Sequence, residues 1–185
     1  MARLHNASWP PLEVAASLSD VIVRPPMPLY REATPDDIAE ISRLGQLLND
    51  MHHQAWPQIF ASAEDVRRDE ANWRRAIGAA NATTFVAQED SELIGFISVY
   101  LISETHSFFN PMRYAHVGSI CVDETRRGEG VGRTLMVLAE QWAQEKGAVD
   151  MRLTVWAFNE DAQRLYEELG YGIRSVSMGK QLSSR

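Results

Sequence analysis

The stretch "DETRRGEGVGRTLMVLAEQWAQEKG", residues 123–147, decides the fold. Its second half carries Val131, Leu135, Leu138, Ala139 and Trp142 as one apolar stripe at helical spacing, with Gly147 as the stop. The apolar run before it, "RYAHVGSICV", reads as a strand. A strand that enters a glycine-rich turn and opens a helix aims several unpaired backbone N–H groups in one direction, and the helix dipole adds positive potential. Glycines keep Cβ atoms out of the way, while Arg126, Arg127 and Arg133 can add charge-assisted hydrogen bonds. The turn therefore predicts an anion site. It has no Gly-Lys-Ser/Thr ending of a P-loop, and Gly128, Gly130 and Gly132 alternate instead of following G-x-G-x-x-G.

Toward the C-terminus, "DMRLTVWAF" is apolar on both alternations, as expected of an inner strand covered on both faces. Asn159 then caps a helix with Ala162, Leu165, Tyr166 and Leu169 on one stripe, ending at Gly170. The run "YGIRSVSMGKQL" reads as a closing strand or hairpin. Toward the N-terminus, "TTFVAQ" and "LIGFISVYLI" flank the polar "EDSE" as a hairpin. Residues 63–79 read as a helix. A further helix starts at Thr34 as N-cap with Pro35 in its first turn, and carries Ile38, Ile41, Leu44, Leu48 and Met51. The expected architecture is a single α/β domain (mixed α+β) over residues 29–185. Its order is β-α-α-β-β-β-α-β-α-β, built on one sheet. Residues 1–28 hold five of the eight prolines without a sustained period and are expected to form a loosely ordered extension. Glu13 and the serines break the one stretch that could serve as a leader.

Composition excludes several classes. At 185 residues, 45% apolar and 23% charged, the chain has the profile of a globular domain, and no stretch approaches the roughly 18 apolar residues of a membrane span. The single cysteine, Cys121, lies in an apolar run, which predicts a buried thiol in a reducing, cytoplasmic setting. Eighteen basic against 25 acidic side chains give a net charge of −7, which argues against nucleic acid or an anionic membrane as partner and favours a cationic substrate. The segment "TRRGEGVGR" departs from that average, with three arginines against one glutamate.

"RGEGVG", with Arg127, Gly130 and Gly132, resembles the Q/R-x-x-G-x-G/A element of the GNAT superfamily of N-acetyltransferases. "VWAFNEDAQRLYEELGY" is similar to that family's later strand-to-helix segment, in which an Asn opens the helix and a Tyr precedes a Leu-Gly-Tyr/Phe ending. The resemblance runs from about Pro28 to Leu182 and implies a mixed, mostly antiparallel sheet with splayed central strands and about four helices. It also implies a site for acetyl-coenzyme A, with no metal. Arg127, Gly128, Glu129, Gly130, Val131, Gly132 and Arg133 would cradle the pyrophosphate. Ile120, Cys121 and Val122 would hold the pantetheine arm as an added strand would, with Asn159 and Ala162 opposite. Tyr166 would stand near the sulfur as general acid. Asn159 is equally a helix cap, and Tyr166 equally a core residue, from the residues alone.

A base must also strip the incoming ammonium. The resemblance implies a carboxylate on the strand before the turn, but Gly118 and Ser119 stand there; His116, Glu104 or a water chain remain as candidates. "MHHQAWPQIF" resembles an element that covers the acceptor side in a subgroup of the family, which makes His52, His53, Trp56 and Phe60 candidates for the substrate pocket. Trp56 can clamp an alkyl ammonium or pack the helix end. The expected function is direct acetyl transfer from acetyl-CoA to a primary amine of a small cationic molecule. A protein N-terminus or lysine is the alternative acceptor, and a non-catalytic acyl-CoA sensor the alternative of another class. The resemblance also implies a possible homodimer.

Overall fold

The computed structural model describes residues 27–62 and 67–182, so most of the expected extension and the first residues of the expected second helix lie outside the described residues. Nine elements follow in order: β1 (Leu29–Glu32), α1 (Ile38–Ala55), α2 (Glu70–Ala76), β2 (Ala82–Glu89), β3 (Glu92–Glu104), β4 (Met112–Val122), α3 (Val131–Glu145), β5 (Met151–Arg152) and α4 (Glu160–Glu168). The strands form one sheet in the order β1-β2-β3-β4-β5, antiparallel except for the parallel pair β4 and β5. This is the mixed α+β sheet that the sequence predicts.

Both faces of the sheet are covered. On one, Ile41 and Leu44 of α1 pack against Val86, Leu93, Phe96 and Cys121. On the other, Leu135, Met136, Ala139 and Trp142 of α3, with Tyr166 of α4, pack against Ile97, Val99, Ala115 and Val117. The alternation of side chains along β3 and β4 supplies both cores at once. Gly45 matters for the first: a Cβ there would lie 2.6 Å from the Trp73 ring, so its absence lets α2 close on α1. The start of α1 is pinned by Asp37, which ends a 3-10 turn at Pro35–Asp37. Its carboxylate accepts from the Thr34 backbone N–H at 2.7 Å and from both Arg31 guanidinium nitrogens at 2.7 and 2.8 Å.

Three expectations are corrected. The second helix is shorter among the described residues, Glu70–Ala76, because Ile77 is extended and Gly78 has φ of +70°. The segment 150–158 is not an inner strand. Only Met151 and Arg152 pair with β4, no strand lies beyond them among the described residues, and Leu153 and Val155 pack on the core while the backbone leaves the sheet. Residues 171–182 form no strand; Ile173 and Met178 are 83% and 93% exposed. Val176 and Leu182 are likewise exposed, so residues 173–182 bury none of their apolar side chains against the sheet.

The departure of β5 has a visible cause in β4. Ser119 pairs with Ser98 and Val117 with Val99, so Gly118 is an unpaired bulge. A Cβ at Gly118 would meet the Tyr100 ring at 2.5 Å. Below the bulge, β4 and β5 pair at Ala115 and His116; above it, the two chains part and leave a cleft between them.

Candidate active site

The turn after β4 builds the first wall of a cavity of about 850 Å³. Gly128 and Gly130 take φ of +80° and +83°, a left-handed conformation that side chains resist, and nothing lies within 4 Å of where their Cβ atoms would be. Gly130 is the N-cap of α3. No described residue accepts the N–H groups of residues 128–133, so these donors and the α3 dipole face open space. Arg127 and Arg133 line the same cavity, and α4 forms the opposite wall.

The arginines are less free than the local charge of the sequence suggests. Arg126 lies 2.6 Å from Glu89 on β2 and 3.0 Å from Glu129. Arg127 lies 3.6 Å from Glu124, and Arg133 pairs with Glu168 of α4. The backbone amides of residues 128–133 are the donors at this turn with no competing partner among the described residues.

A second cavity, about 360 Å³, fills the split between β4 and β5. Its walls come from Gly118 and Ser119 at the bulge, from residues 153–156, and from His52 and Phe60 after the middle of α1. Five rings join these walls edge to face in a closed circuit, His52 to Phe60 to Trp156 to Trp56 to Phe158 and back, with centroids 4.8–5.6 Å apart.

The two cavities share Leu48, Ile120, Asn159 and Tyr166. Asn159 accepts the Ala162 N–H at 3.2 Å through its side chain, so it does cap α4, and it still faces both spaces. Tyr166 is 7% exposed, and its hydroxyl has no partner among the described residues. Burial pushes its phenol up to about 12, so it carries its proton throughout the neutral range and can donate it. Burial likewise pushes the Cys121 thiol up to about 11, which leaves it an unreactive wall residue.

Of the residues singled out in sequence, Ile120, Cys121, Val122, Arg127, Gly128, Gly130, Val131, Gly132, Arg133, Asn159, Ala162 and Tyr166 line the first cavity. Glu129 does not; it is held by Arg126. His52, Phe60 and His116 line the second cavity. Trp56 lines neither and packs the helix end through Trp156 and Phe158. His53 turns its Nδ1 to the Phe60 carbonyl at 2.7 Å. Glu104 stands at the far end of β3, where its carboxylate accepts the His106 N–H, away from both cavities. Sequence reasoning passed over Trp156, although its place three residues before Asn159 on an apolar run marked it, and Arg68, which no periodic pattern marked. Among the described residues no three His, Cys, Asp or Glu side chains converge to hold a metal, and no helix is long and apolar enough to cross a membrane.

With this geometry, comparison with known proteins is specific. The model of the family described as Acetyltransferase (GNAT) family matches residues 45–171, well over half of the chain. The chain is similar to the uncharacterized N-acetyltransferase YhfO of Bacillus subtilis, 27% identical over 76% of the chain and 87% of that protein. It is also similar to an aminoglycoside N(6')-acetyltransferase type 1 of Stenotrophomonas maltophilia, 28% identical over 67% of the chain and 72% of that protein. Several other curated relatives are matched over only about half of their length. Among solved structures, a tetramutant of the BH1408 protein from Bacillus halodurans superposes with a TM-score of 0.77 at 26% identity, over 83% of this chain and 99% of that one.

Proposed function

The chain belongs to the acetyltransferase (GNAT) family, acyltransferases that use acetyl-CoA, and from that premise we propose that it transfers the acetyl group directly to a primary amine of a small cationic molecule. The observation that carries this reading is the meeting of an anion-binding cavity and an aromatic-walled cavity at Tyr166. The residues present fit the donor. The free N–H groups of residues 128–133 suit a pyrophosphate, and Ile120–Val122, on the edge of β4 that β5 has left, offers backbone groups to an extended pantetheine arm.

Acetyl-CoA, when bound, supplies a thioester carbonyl with a thiolate leaving group, whose pKa of about 8.5 makes one acid sufficient help. Tyr166 gives that proton from a phenol that stays protonated throughout the neutral range. Asn159 orients the arm from the cap of α4. Phe60 and Trp156 hold the alkyl part of the amine and present ring faces to its charge. Alignment of amine and carbonyl contributes roughly 7–11 kcal/mol of the barrier in well-oriented reactions. The net charge of −7 supports a cationic acceptor, as does the substrate class in the name of the aminoglycoside-modifying relative.

The test is release of free coenzyme A thiol from acetyl-CoA across polyamines, aminoglycosides, amino acids and N-terminal peptides. Release that depends on a small amine supports the proposal. Release only with peptides moves the acceptor to protein, and coenzyme binding without turnover makes the domain a sensor.

A further inference from the structure

An amine arrives as an ammonium and must lose a proton before its lone pair can attack, a requirement that rests on the acetyl transfer proposed above. Two imidazoles reach the acceptor cavity, His52 on α1 and His116 on β4, and among the described residues no carboxylate lines it. The two rings are held in different surroundings. His116 is half-buried at the β4–β5 pair beside Arg152, whose guanidinium sits 3.9 Å over the Tyr114 ring. Burial, and then that positive charge, hold its titration below the usual range, so protonation there is opposed.

His52 is fixed by a backbone contact. Its Nδ1 lies 2.7 Å from the Leu48 carbonyl one turn back in α1. A carbonyl oxygen only accepts, so Nδ1 carries the hydrogen and the neutral ring keeps its lone pair on Nε2. The same bond points Nε2 away from the helix, where no described residue bonds it. Phe60 and Phe158 clamp the ring edge-on at 4.9 and 5.4 Å, so its direction is set by packing. The charged and titratable groups around it are accounted for on each side. Arg68 donates to Asp69 and to the Ser62 carbonyl, His53 is turned to the Phe60 carbonyl, His116 lies across the cavity, and Tyr166 is a neutral phenol.

We propose that His52 is the proton acceptor of the transfer, taking the ammonium proton on Nε2. The freed nitrogen lone pair forms the C–N bond to the thioester carbonyl carbon, and the C–S bond breaks with its electron pair going to sulfur. Sulfur takes the Tyr166 phenolic proton, and the proton still on nitrogen returns to the Tyr166 phenolate. His52 gives its proton to water before the next turnover. The sum is amide, free thiol and one proton.

The experiment compares the full chain with His52→Gln and His116→Gln, using an amine that the wild type acetylates. His52→Gln is expected to lower kcat/KM about a hundredfold near neutral pH, the low end for a general base, with acetyl-CoA affinity unchanged by calorimetry. The deficit shrinks as pH rises and the amine loses its proton unaided. The acidic limb of the pH profile moves up to the amine's own deprotonation in His52→Gln and stays in place in His116→Gln. Equal rates and an unmoved limb in His52→Gln, or an upward move of the limb in His116→Gln alone, overturn the assignment while leaving the transferase reading in place. Imidazole nitrogen NMR of the enzyme without substrates gives an independent reading: neutral His52 is expected as the Nδ1–H tautomer, and the Nε2–H tautomer overturns the proposal whatever the activity. A wild type that acetylates no amine overturns the transferase reading and this role with it.

Discussion

The two halves of the cleft are made of different material. On the donor side, the turn between β4 and α3 works through backbone: left-handed glycines, free N–H groups and a helix dipole. On the acceptor side, the end of α1, the bulge in β4 and the chain after β5 contribute side chains, and five aromatic rings hold them in place. Backbone sites bind what every acetyl donor shares, so they tolerate little variation. Side-chain sites can be re-cut residue by residue, which suits the half proposed to select the amine. Tyr166 belongs to both, because α4 is the wall they share.

Changing that shared residue gives the largest expected effect. Tyr166→Phe removes the proposed acid and keeps the ring, so kcat is predicted to fall about a hundredfold while calorimetry shows the same acetyl-CoA affinity. An unaltered kcat returns Tyr166 to the core alone. The next largest effect breaks the donor half only. Gly130→Glu forces a side chain into a φ of +83°, at a cost of about 1–2 kcal/mol, and places a carboxylate at the free amides. Coenzyme affinity is predicted to fall at least about tenfold, while the fold persists with a melting temperature lowered by only a few degrees. Equal affinity contradicts the anion turn.

The same division explains what could be read from the sequence. Gly130, Gly132 and Asn159 were legible because turn geometry and helix capping demand particular residue types at particular spacings. The end of the strand at 150–158 was not legible, since Leu153 and Val155 are apolar for the core whether or not the backbone stays paired. What separates the cases is the bulge at Gly118, thirty-odd residues earlier. The arginine charges look freer in sequence than in the fold for a related reason: Glu89 and Glu168 reach Arg126 and Arg133 from 37 and 35 residues away. The acceptor walls converge from four separate segments, and only "MHHQAWPQIF" announced itself. Residues 1–26 lie outside the described residues, so the expected extension has no structural counterpart to weigh.

A smaller effect should fall on the acceptor half through the start of α1. The Arg31 guanidinium, by its hydrogen bonds, holds the Asp37 carboxyl at about 2, below the ordinary 3.9 or so of an unfolded aspartate. A depressed carboxyl stabilises the fold above its unfolded pKa and loses that contribution as pH falls through the folded value. A shift of just under two units corresponds to about 2–3 kcal/mol, fully present above about pH 5 and lost toward pH 2. Denaturant titrations of wild type and Asp37→Asn are therefore predicted to differ by about that amount at pH 7 and to converge at the acid end. A constant difference across the range would assign the loss to packing.

The smallest effect sharpens the contrast between amide and arginine binding. Arg133 lines the donor cavity but is paired with Glu168, and both side chains are well exposed. Exposed pairs are worth only about 0.2–1 kcal/mol, so releasing Arg133 by Glu168→Gln should tighten acetyl-CoA binding by no more than about fivefold. The gain should fade at high salt, where exposed charges are screened within about 3–10 Å. The amide contribution should persist under the same salt, because its donors are fixed in direct contact at the helix start. If Glu168→Gln leaves affinity and its salt dependence untouched, the turn binds through backbone alone and Arg133 serves only the α3–α4 contact.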